Sequence, residues 1–370
     1  MKDLSVYLTS GIYPPDKGGP AFFVSEYSRW LRKHVTRTKV ISLKDGPSVK
    51  QVESKHRVVL NSRDQILALR MLVSVVNIIR PFLDKKIVLV NGLFIEVLIA
   101  SFFMRSRIIA KIPGDIVWER ARNQGKTQSS IDDYQGHEEG FKRVFRFFFS
   151  WSLKKANTVI TPSLHLKSLL ERWGVEASRI VLIRNSVDTN LFLPDSTKSK
   201  KYDVITVCRL VPWKGVDELI KVCAEKGLSL AVVGDGPNRD QLKDVAAATG
   251  AKVEFLGDCS HDQLPQLLNS SRLFVLNSQY EGSPHSLIEA LSVGLVSIAR
   301  ESTGSSEVIR DRVNGLLCGK SRTLADAIAL ALNDSELSNK ISSEARLTAL
   351  TDFDREKNFT KILKVIEGVQ

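Results

Sequence analysis

From end to end the 370-residue chain alternates short β-branched and apolar runs with longer stretches of helical period. The strand-like runs of the first half are Leu4–Thr9, Val40–Leu43, Val58–Leu60, Ile87–Val90, Ile108–Ile112 and Thr158–Thr161. Those of the second half are Asp203–Cys208, Leu228–Val233, Lys252–Phe255, Leu273–Leu276 and Leu295–Ala299, each followed by a helix-like segment. A helix between two strands carries the chain back to start the next strand in the same direction, so this rhythm predicts parallel sheets with helices on both faces. A hydrophobic content of 43% with mixed charge excludes a disordered chain. The length exceeds what one ordinary core organises and suits two domains of about 180 residues.

The stretch LPDSTKSKK, residues 193–201, supplies Pro, Ser, Thr and Lys without apolar period and is the expected linker. It divides the chain into a first domain, 1–195, and a second, 196–352, with a last helical segment over Phe353–Val369. The fold class expected is α/β, two Rossmann-like doubly wound parallel-sheet domains. Ligands in such sheets sit outside the carboxyl ends of the strands, so chemistry is sought there. Glu281 and Glu289 bracket the stretch EGSPHSLIE and join a Gly-Ser-Pro loop to a predicted helix Ser286–Val293. This spacing predicts one acid on the loop and the other in the first helical turn, both facing one ligand. First-turn amides favour phosphate. A carboxylate accepting hydroxyl hydrogen bonds suits a sugar or ribose, and the two together point to a sugar nucleotide. The alternative is an acidic helix start that stabilises only its own dipole. Arg209 and Lys214 follow the first strand of the second half, where a phosphate would lie; a solvated basic loop is the alternative. Gly18-Gly19-Pro20 precedes a helix over Ala21–His34 and offers bare backbone to a phosphate or sugar, or forms a plain tight turn. The dinucleotide fingerprint is absent, because Gly234-Asp235-Gly236 is followed by Arg239 where the third glycine belongs.

The segment NSQYEGSPHSLIEALSVGLVSIARESTGSSEVI resembles the signature of the family 4 retaining glycosyltransferases, in which Glu-x7-Glu precedes a strand and a small-residue loop. VCRLVPWKG, VVGDGPNRDQL and VEFLGDCSHDQL stand in the family's order, and GGPAFFVSEYSRWL, KIPGDIVWER, TPSLHLKSLLERWGV and IRNSVD are similar to its first-half segments. The resemblance implies the GT-B arrangement, two domains facing across a cleft with the acceptor on the first and a nucleoside-diphosphate sugar on the second. It implies that the final helix returns to the first domain. It assigns Arg209 and Lys214 to the donor diphosphate, Glu281 to the transferred sugar near its anomeric carbon, and Glu289 to the ribose. Ser283, Pro284, His285, Ser286 and Leu287 would cradle the diphosphate, with Gly18, Gly19, Gly236 and Gly257 at close approaches to the donor. Asp115 stands where many members have His or Asp and would position or deprotonate the acceptor; an Asp is a poor base at neutral pH unless desolvated, and capping the next helix is its alternative role. The implied reaction is retaining transfer to a hydroxyl of a glycan or glycolipid precursor, of the cell-surface polysaccharide type. A front-face mechanism is preferred to a covalent one on Glu281. No His cluster suggests a metal, and no cofactor is expected. A sugar-nucleotide epimerase of the same architecture and a non-catalytic sugar-nucleotide-binding protein are the rival readings. A nicotinamide-dependent oxidoreductase is disfavoured by the missing glycine fingerprint.

Charge is divided unevenly. Residues 1–195 carry 31 Lys and Arg against 18 Asp and Glu, an excess of 13, whereas 196–370 carry 22 against 23. A basic first half predicts attraction to an anionic membrane surface, and no nucleic-acid motif competes for that role. In FKRVFRFFFSWSLKK, residues 141–155, Phe141, Val144, Phe145, Phe148 and Ser152 form the expected packing face, with Phe147, Phe149 and Trp151 partly off it. An interfacial helix on anionic lipid is the other reading. Asn91-Gly92 and Glu96 interrupt the apolar run 87–104, so a strand, turn and helix are expected there and no membrane span. Met1-Lys2-Asp3 leads directly into a strand-like run with no secretory signal. Four cysteines without paired spacing read as reduced thiols, and the expected location is the cytoplasm, peripheral at the inner face of the membrane.

Overall fold

Val6, Leu8, Ile41, Val88, Leu89, Ile109, Val159 and Ile160 are all but withdrawn from solvent, because each sits in a strand covered on both faces. The computed structural model describes residues 2–16, 18–53, 55–79 and 86–368. It divides into two units, Met1–Ile183 with Phe359–Gln370, and Arg184–Asn358.

In the first unit the chain runs β1 (Lys2–Thr9), α1 (Gly19–Leu31), β2 (Val35–Lys44), β3 (Val49–Glu53), β4 (His56–Ser62), α2 (Leu67–Ile79) and β5 (Lys86–Val90). It continues through α3 (Phe94–Ser101), β6 (Arg107–Lys111), α4 (Ile116–Asn123), α5 (Phe141–Lys155), β7 (Thr158–Thr161), α6 (Leu164–Arg172) and β8 (Ile180–Leu182). The sheet order is β3-β4-β2-β1-β5-β6-β7-β8, parallel except for β3, which pairs antiparallel with β4. Strands β3 and β8 are not predicted by the apolar rhythm. The sequence VKQVE of β3 is a largely exposed edge and needs no apolar run, and β8 is only three residues long. Lys39 and Lys86 lie buried in strands because their ammonium groups donate to the last carbonyls of α2: Lys39 to Asn77 at 2.6 Å, Lys86 to Ile78 and Ile79 at 3.1 and 3.2 Å. Cations at a helix C-terminus satisfy orphan carbonyls and oppose the dipole.

The second unit runs β9 (Tyr202–Val207), α7 (Val216–Glu225), β10 (Ser229–Val233), α8 (Arg239–Thr249), β11 (Lys252–Gly257), α9 (Leu264–Asn269), β12 (Ser271–Leu276), α10 (His285–Ser292) and β13 (Val296–Arg300). After it come α11 (Thr303–Val308), β14 (Leu316–Cys318), α12 (Leu324–Asn333), α13 (Ser335–Asp352) and α14 (Arg355–Gly368). Its sheet is wholly parallel in the order β11-β10-β9-β12-β13-β14. Neighbours β9 and β12 are non-consecutive, so the connections leave them in opposite directions and open a crevice outside their carboxyl ends. β14 is another three-residue strand that the apolar rhythm does not predict.

The division falls after Ile183 and after Asn358. Residues 193–201, expected as the linker, lie inside the second unit, where Phe192 is fully buried and Asp195 N donates to Asn269 Oδ1 at 2.8 Å. From Phe359 onward α14 belongs to the first unit's core: the Phe359 ring stands edge-on to Tyr27 at 4.9 Å, with Ile362 and Ile366 buried beside it. Val369, the end of the predicted last helix, lies outside the described residues. Among the described residues no helix is long and apolar enough to cross a membrane.

Candidate functional site

Lys214 and Glu281 meet at the crevice of the second unit. Lys214 lies in a short 3-10 turn, Pro212–Lys214, on the loop that leaves β9, and Glu281 lies on the loop that leaves β12. Lys214 Nζ donates to Glu281 Oε1 at 2.5 Å, with both side chains mostly withdrawn from solvent. The two loops are fixed to each other by backbone and by Asn277, the first residue after β12. Gln279 N donates to Trp213 O at 2.9 Å, and Asn277 Nδ2 donates to Gly215 O at 2.9 Å and to Glu218 Oε2 at 3.0 Å. Arg300 Nε donates in turn to Asn277 Oδ1 at 2.9 Å, so this buried amide is fully engaged. Gly215 sits in the left-handed region at φ +61, where a Cβ would come within 2.7 Å of Asn277. Only glycine fits both demands.

The far side of the Glu281 loop is pinned as well. Gly304 N and Thr303 Oγ1 donate to Glu281 O at 2.9 and 3.1 Å, and Asn185 Nδ2 donates to Ser283 O at 2.9 Å. Pro284 is the N-cap residue of α10, which starts at His285, and it makes no side-chain cap hydrogen bond. Leu287 is buried beneath the first turn. Helix α10 starts one residue earlier than predicted, which makes Glu289 its fifth residue. That acid therefore opens the second turn and not the first, and it is buried, its Oε1 3.1 Å from His261 Nε2. The His261 ring packs edge-on against Phe192 at 4.9 Å.

Arg209 lies two residues beyond β9, exposed, and its side chain makes no hydrogen bond or ion pair among the described residues. Its loop is held against the one after β10: Leu210 N donates to Asp235 O at 2.9 Å and Asn238 N to Leu210 O at 3.1 Å. A Cβ on Gly236 would lie 2.3 Å from Leu210 O, so this approach needs glycine. Gly257 closes β11 at φ +65, and its carbonyl accepts Gly234 N at 2.7 Å. Cys208, at the same strand ends, is a free thiol pushed up to about 11 by burial.

Gly18, Gly19 and Asp115 belong to the first unit. Gly18 caps α1 at φ +138 and Gly19 opens that helix, on the loop after β1 beside the switch point between β1 and β5. Arg63, at the end of β4, ties this loop down by donating to Gly11 O at 3.1 Å and to the Asp16 carboxylate, which the guanidinium holds below the usual carboxylate range. Asp115 is fully buried. Its Oδ1 accepts from Val117 N and Trp118 N at 3.0 and 3.2 Å, and its Oδ2 accepts from Gln135 Nε2 and Arg146 Nη2 at 2.9 and 2.6 Å. Four donors occupy a carboxylate with about four lone-pair sites. The geometry is that of the helix-capping alternative, with no oxygen left for an acceptor hydroxyl.

Asn277, Asn185, His261, Gly304 and Arg63 are the positions that sequence reasoning misses. Asn277 and Gly304 do fall inside the segment carrying the Glu-x7-Glu pattern, but nothing in their spacing marks them.

A family model described as "Glycosyltransferase Family 4" matches residues 17–191, and one described as "Glycosyl transferases group 1" matches 190–348. The chain belongs to the family 4 glycosyltransferases. Proteins similar to it include the alpha-D-kanosaminyltransferase of Streptomyces kanamyceticus, 29% identical over 38% of this chain and 39% of that protein. Another is the phosphatidylinositol N-acetylglucosaminyltransferase gpi3 subunit of Schizosaccharomyces pombe, 28% identical over 60% of this chain and 51% of that protein. The matches thus span between about two fifths and one half of those two relatives' own length. The crystal structure of Anabaena Alr3699/HepE in complex with UDP and glucose superposes with a TM-score of 0.79 over 99% of this chain and all of that one, at 21% identity. That likeness establishes the GT-B fold for this member of the family.

Proposed function

We propose that this chain transfers a sugar from a nucleoside-diphosphate sugar to a hydroxyl of a glycan or glycolipid precursor, with retention of anomeric configuration and without a metal. The observation that carries this reading is the Lys214–Glu281 contact of 2.5 Å at the carboxyl ends of β9 and β12, beside the start of α10. A cation, a carboxylate and a helix N-terminus at one switch point suit a diphosphate joined to a polyol. Lys214 and the exposed Arg209 would take the charge that grows on the leaving diphosphate, the part a metal plays elsewhere. Glu281 would accept hydrogen bonds from the sugar hydroxyls, and Glu289, oriented by His261, from the ribose.

In the step itself the bond from the anomeric carbon to the phosphate oxygen breaks and a bond to the acceptor oxygen forms on the same face. The acceptor proton passes to the leaving phosphate oxygen, and the nucleoside diphosphate departs. The ion pair favours this front-face course over a covalent one, because a carboxylate neutralised by an ammonium is a weaker nucleophile. The basic first half supports an acceptor presented at an anionic membrane surface on the cytoplasmic side.

UDP-sugars are the first donors to test, since the HepE structure carries UDP and glucose. Thermal-shift screening with UDP, GDP and ADP identifies the base, a ligand at 100 times its Kd stabilising by about 2.7 kcal/mol. With the donor known, Lys214→Ala and Glu281→Ala should each lower kcat about 100-fold or more while the melting midpoint stays. Full turnover in either variant refutes the assignment. An epimerase would return the sugar still attached to its nucleotide, and a sensor would bind donor without turnover.

A further inference from the structure

The exposed aromatics of the first unit are gathered in one place. Among the described residues, every Phe with more than a third of its surface exposed lies on α5 or just after α3: Phe102, Phe103, Phe141, Phe147 and Phe148. The rings of Phe102, Phe147 and Phe148 form a cluster with Trp151: Phe102 to Trp151 at 5.7 Å, Phe147 to Phe148 at 5.5 Å, and Phe147 and Phe148 to Trp151 at 6.3 and 6.2 Å. The packing face of α5 is not the one its sequence predicts. Phe149, Ser152 and Leu153 are buried, Phe149 standing edge-on to Phe94 and Trp173, while Phe141, Val144 and Phe148 face solvent. The same layer of helices continues the apolar surface, since α3 packs against both α2 and α5. On α2, Leu67, Leu69 and Leu72 are exposed.

Charge identifies what covers this face. Helix α5 carries Lys142, Arg143, Arg146, Lys154 and Lys155, and α2 carries Arg70; neither contains an Asp or Glu, and the nearby acids are Glu96, half-buried on α3, and Glu139, exposed just before α5. Glu138, beside α5, is consumed by Arg146, whose Nε donates to it at 2.9 Å. A second copy of the chain would bring cation against cation. Aromatic rings flanked by Lys and Arg, with no acid on either helix, match the boundary between acyl chains and anionic headgroups. Next to the cluster opens a cavity of about 560 Å³ between α5 and the end of α6, lined by Phe147, Trp151, Trp173, Lys154 and Arg172. Its lining also holds Glu138, already engaged by Arg146, so the cations Lys154 and Arg172 beside the rings leave it net positive, which suits an anionic lipid headgroup and the start of its chain.

We propose that the outward face of α2, α3 and α5 docks on an anionic bilayer, with Phe147, Phe148 and Trp151 entering the interface and Lys154 and Arg172 meeting lipid phosphate at the cavity mouth. This rests on the membrane-surface part of the reading above and is independent of the transfer chemistry. The test is flotation of the full chain with vesicles of phosphatidylcholine alone and with 30 mol% phosphatidylglycerol. The wild type should partition at least tenfold more onto the anionic vesicles. Phe147→Ser/Trp151→Ser and Lys154→Glu/Arg172→Glu should each lower that partition about tenfold. Folding of each variant is checked by its melting midpoint and by the thermal shift with UDP, whose retention keeps this result separate from any failure of donor binding. Equal partition onto both vesicle types by the wild type overturns the proposal. So does loss in the charge variant alone, which describes an adsorbed basic surface without insertion. Thermal stabilisation by inorganic phosphate without flotation assigns the cavity to a free anion and overturns it too. A wild-type dimer dissolved by Phe147→Ser/Trp151→Ser, with no flotation, assigns the face to a second copy.

Discussion

Gly215→Ala should damage the chain in two separable ways, and Gly250→Ala is the internal control. Both glycines lie in the left-handed region, at φ +61 and φ +66. A Cβ at Gly250 meets open space, so Gly250→Ala carries only the backbone penalty, about 1–2 kcal/mol. At Gly215 the added Cβ falls 2.7 Å from both Asn277 Nδ2 and Asn277 O. One of those atoms is backbone and the other belongs to an amide held by Gly215 O, Glu218 and Arg300, so neither yields without breaking hydrogen bonds. Overpacking of this kind adds about 1–3 kcal/mol, for a total of about 2–5 kcal/mol. The relief available is a shift of the turn that carries Lys214, which moves the ammonium away from Glu281. Urea unfolding followed by circular dichroism should place Gly215→Ala clearly below Gly250→Ala. Sugar-transfer kinetics should show at least a tenfold loss of kcat/KM for Gly215→Ala and less than twofold for Gly250→Ala. Equal unfolding midpoints would mean that the Asn277 clamp does not hold this loop, and equal kinetics would mean that the position of Lys214 does not matter to transfer.

Two further substitutions address buried charge in the first unit. Asp115→Asn turns an amide NH2 toward Gln135 or Arg146, donor against donor, and deprives the Arg146 guanidinium of one of its two carboxylates. Melting should fall by the equivalent of about 3 kcal/mol with the thermal shift from UDP retained, whereas an unchanged midpoint with a hundredfold loss of turnover would return Asp115 to the reaction. Lys111 is held by burial at about 8, below its usual value, with its ammonium 4.2 Å above the Phe23 ring. The folded form binds the proton less tightly than the unfolded form, so the penalty is fully present below pH 8 and is relieved as pH rises from about 8 toward 10.5. Lys111→Met should therefore stabilise at pH 7, by up to about 3 kcal/mol less the lost ring contact, and the gain should shrink toward pH 10. A pH-independent difference between variant and wild type, measured by urea unfolding at pH 7 and pH 10, would show that desolvation of Lys111 is not its source.

The sheets were legible because buried parallel strands are written as contiguous apolar runs, and the eleven runs read from the sequence all fall on strands. What escaped were strands too short or too exposed for burial to shape their composition, such as VKQVE and LLC. The division of the chain escaped for another reason. Loop composition at 193–201 reports solvent exposure, whereas membership of a unit depends on contacts such as Asp195 with Asn269, 74 positions away. Helix α5 shows the limit of periodicity itself. Its aromatic residues span a wide arc opposite the cations, so period alone does not choose which part of that arc is buried, and the phase is set by where Phe149 fits between Phe94 and Trp173.

The site divides along the same physical line. Lys214 and Glu281 can be read one at a time, because a cation or an acid just past a buried strand stands where a sheet of this topology places ligands. Their alignment cannot be read, because it depends on ties between distant positions: Asn277 with Gly215 across 62 residues and Asn185 with Ser283 across 98. Each tie uses a backbone carbonyl as acceptor, so the partner leaves no mark in residue type. The consequence bears on Asp115. Its position after a buried strand is as suggestive as that of Glu281, yet Gln135 and Arg146, 20 and 31 residues on, saturate its second oxygen. Among the described residues Glu281 instead keeps a single side-chain partner, Lys214, a flexible ammonium that could turn from carboxylate to phosphate on donor binding. An acid at a strand end is available for binding only where its donors can move, and that criterion selects Glu281 over Asp115.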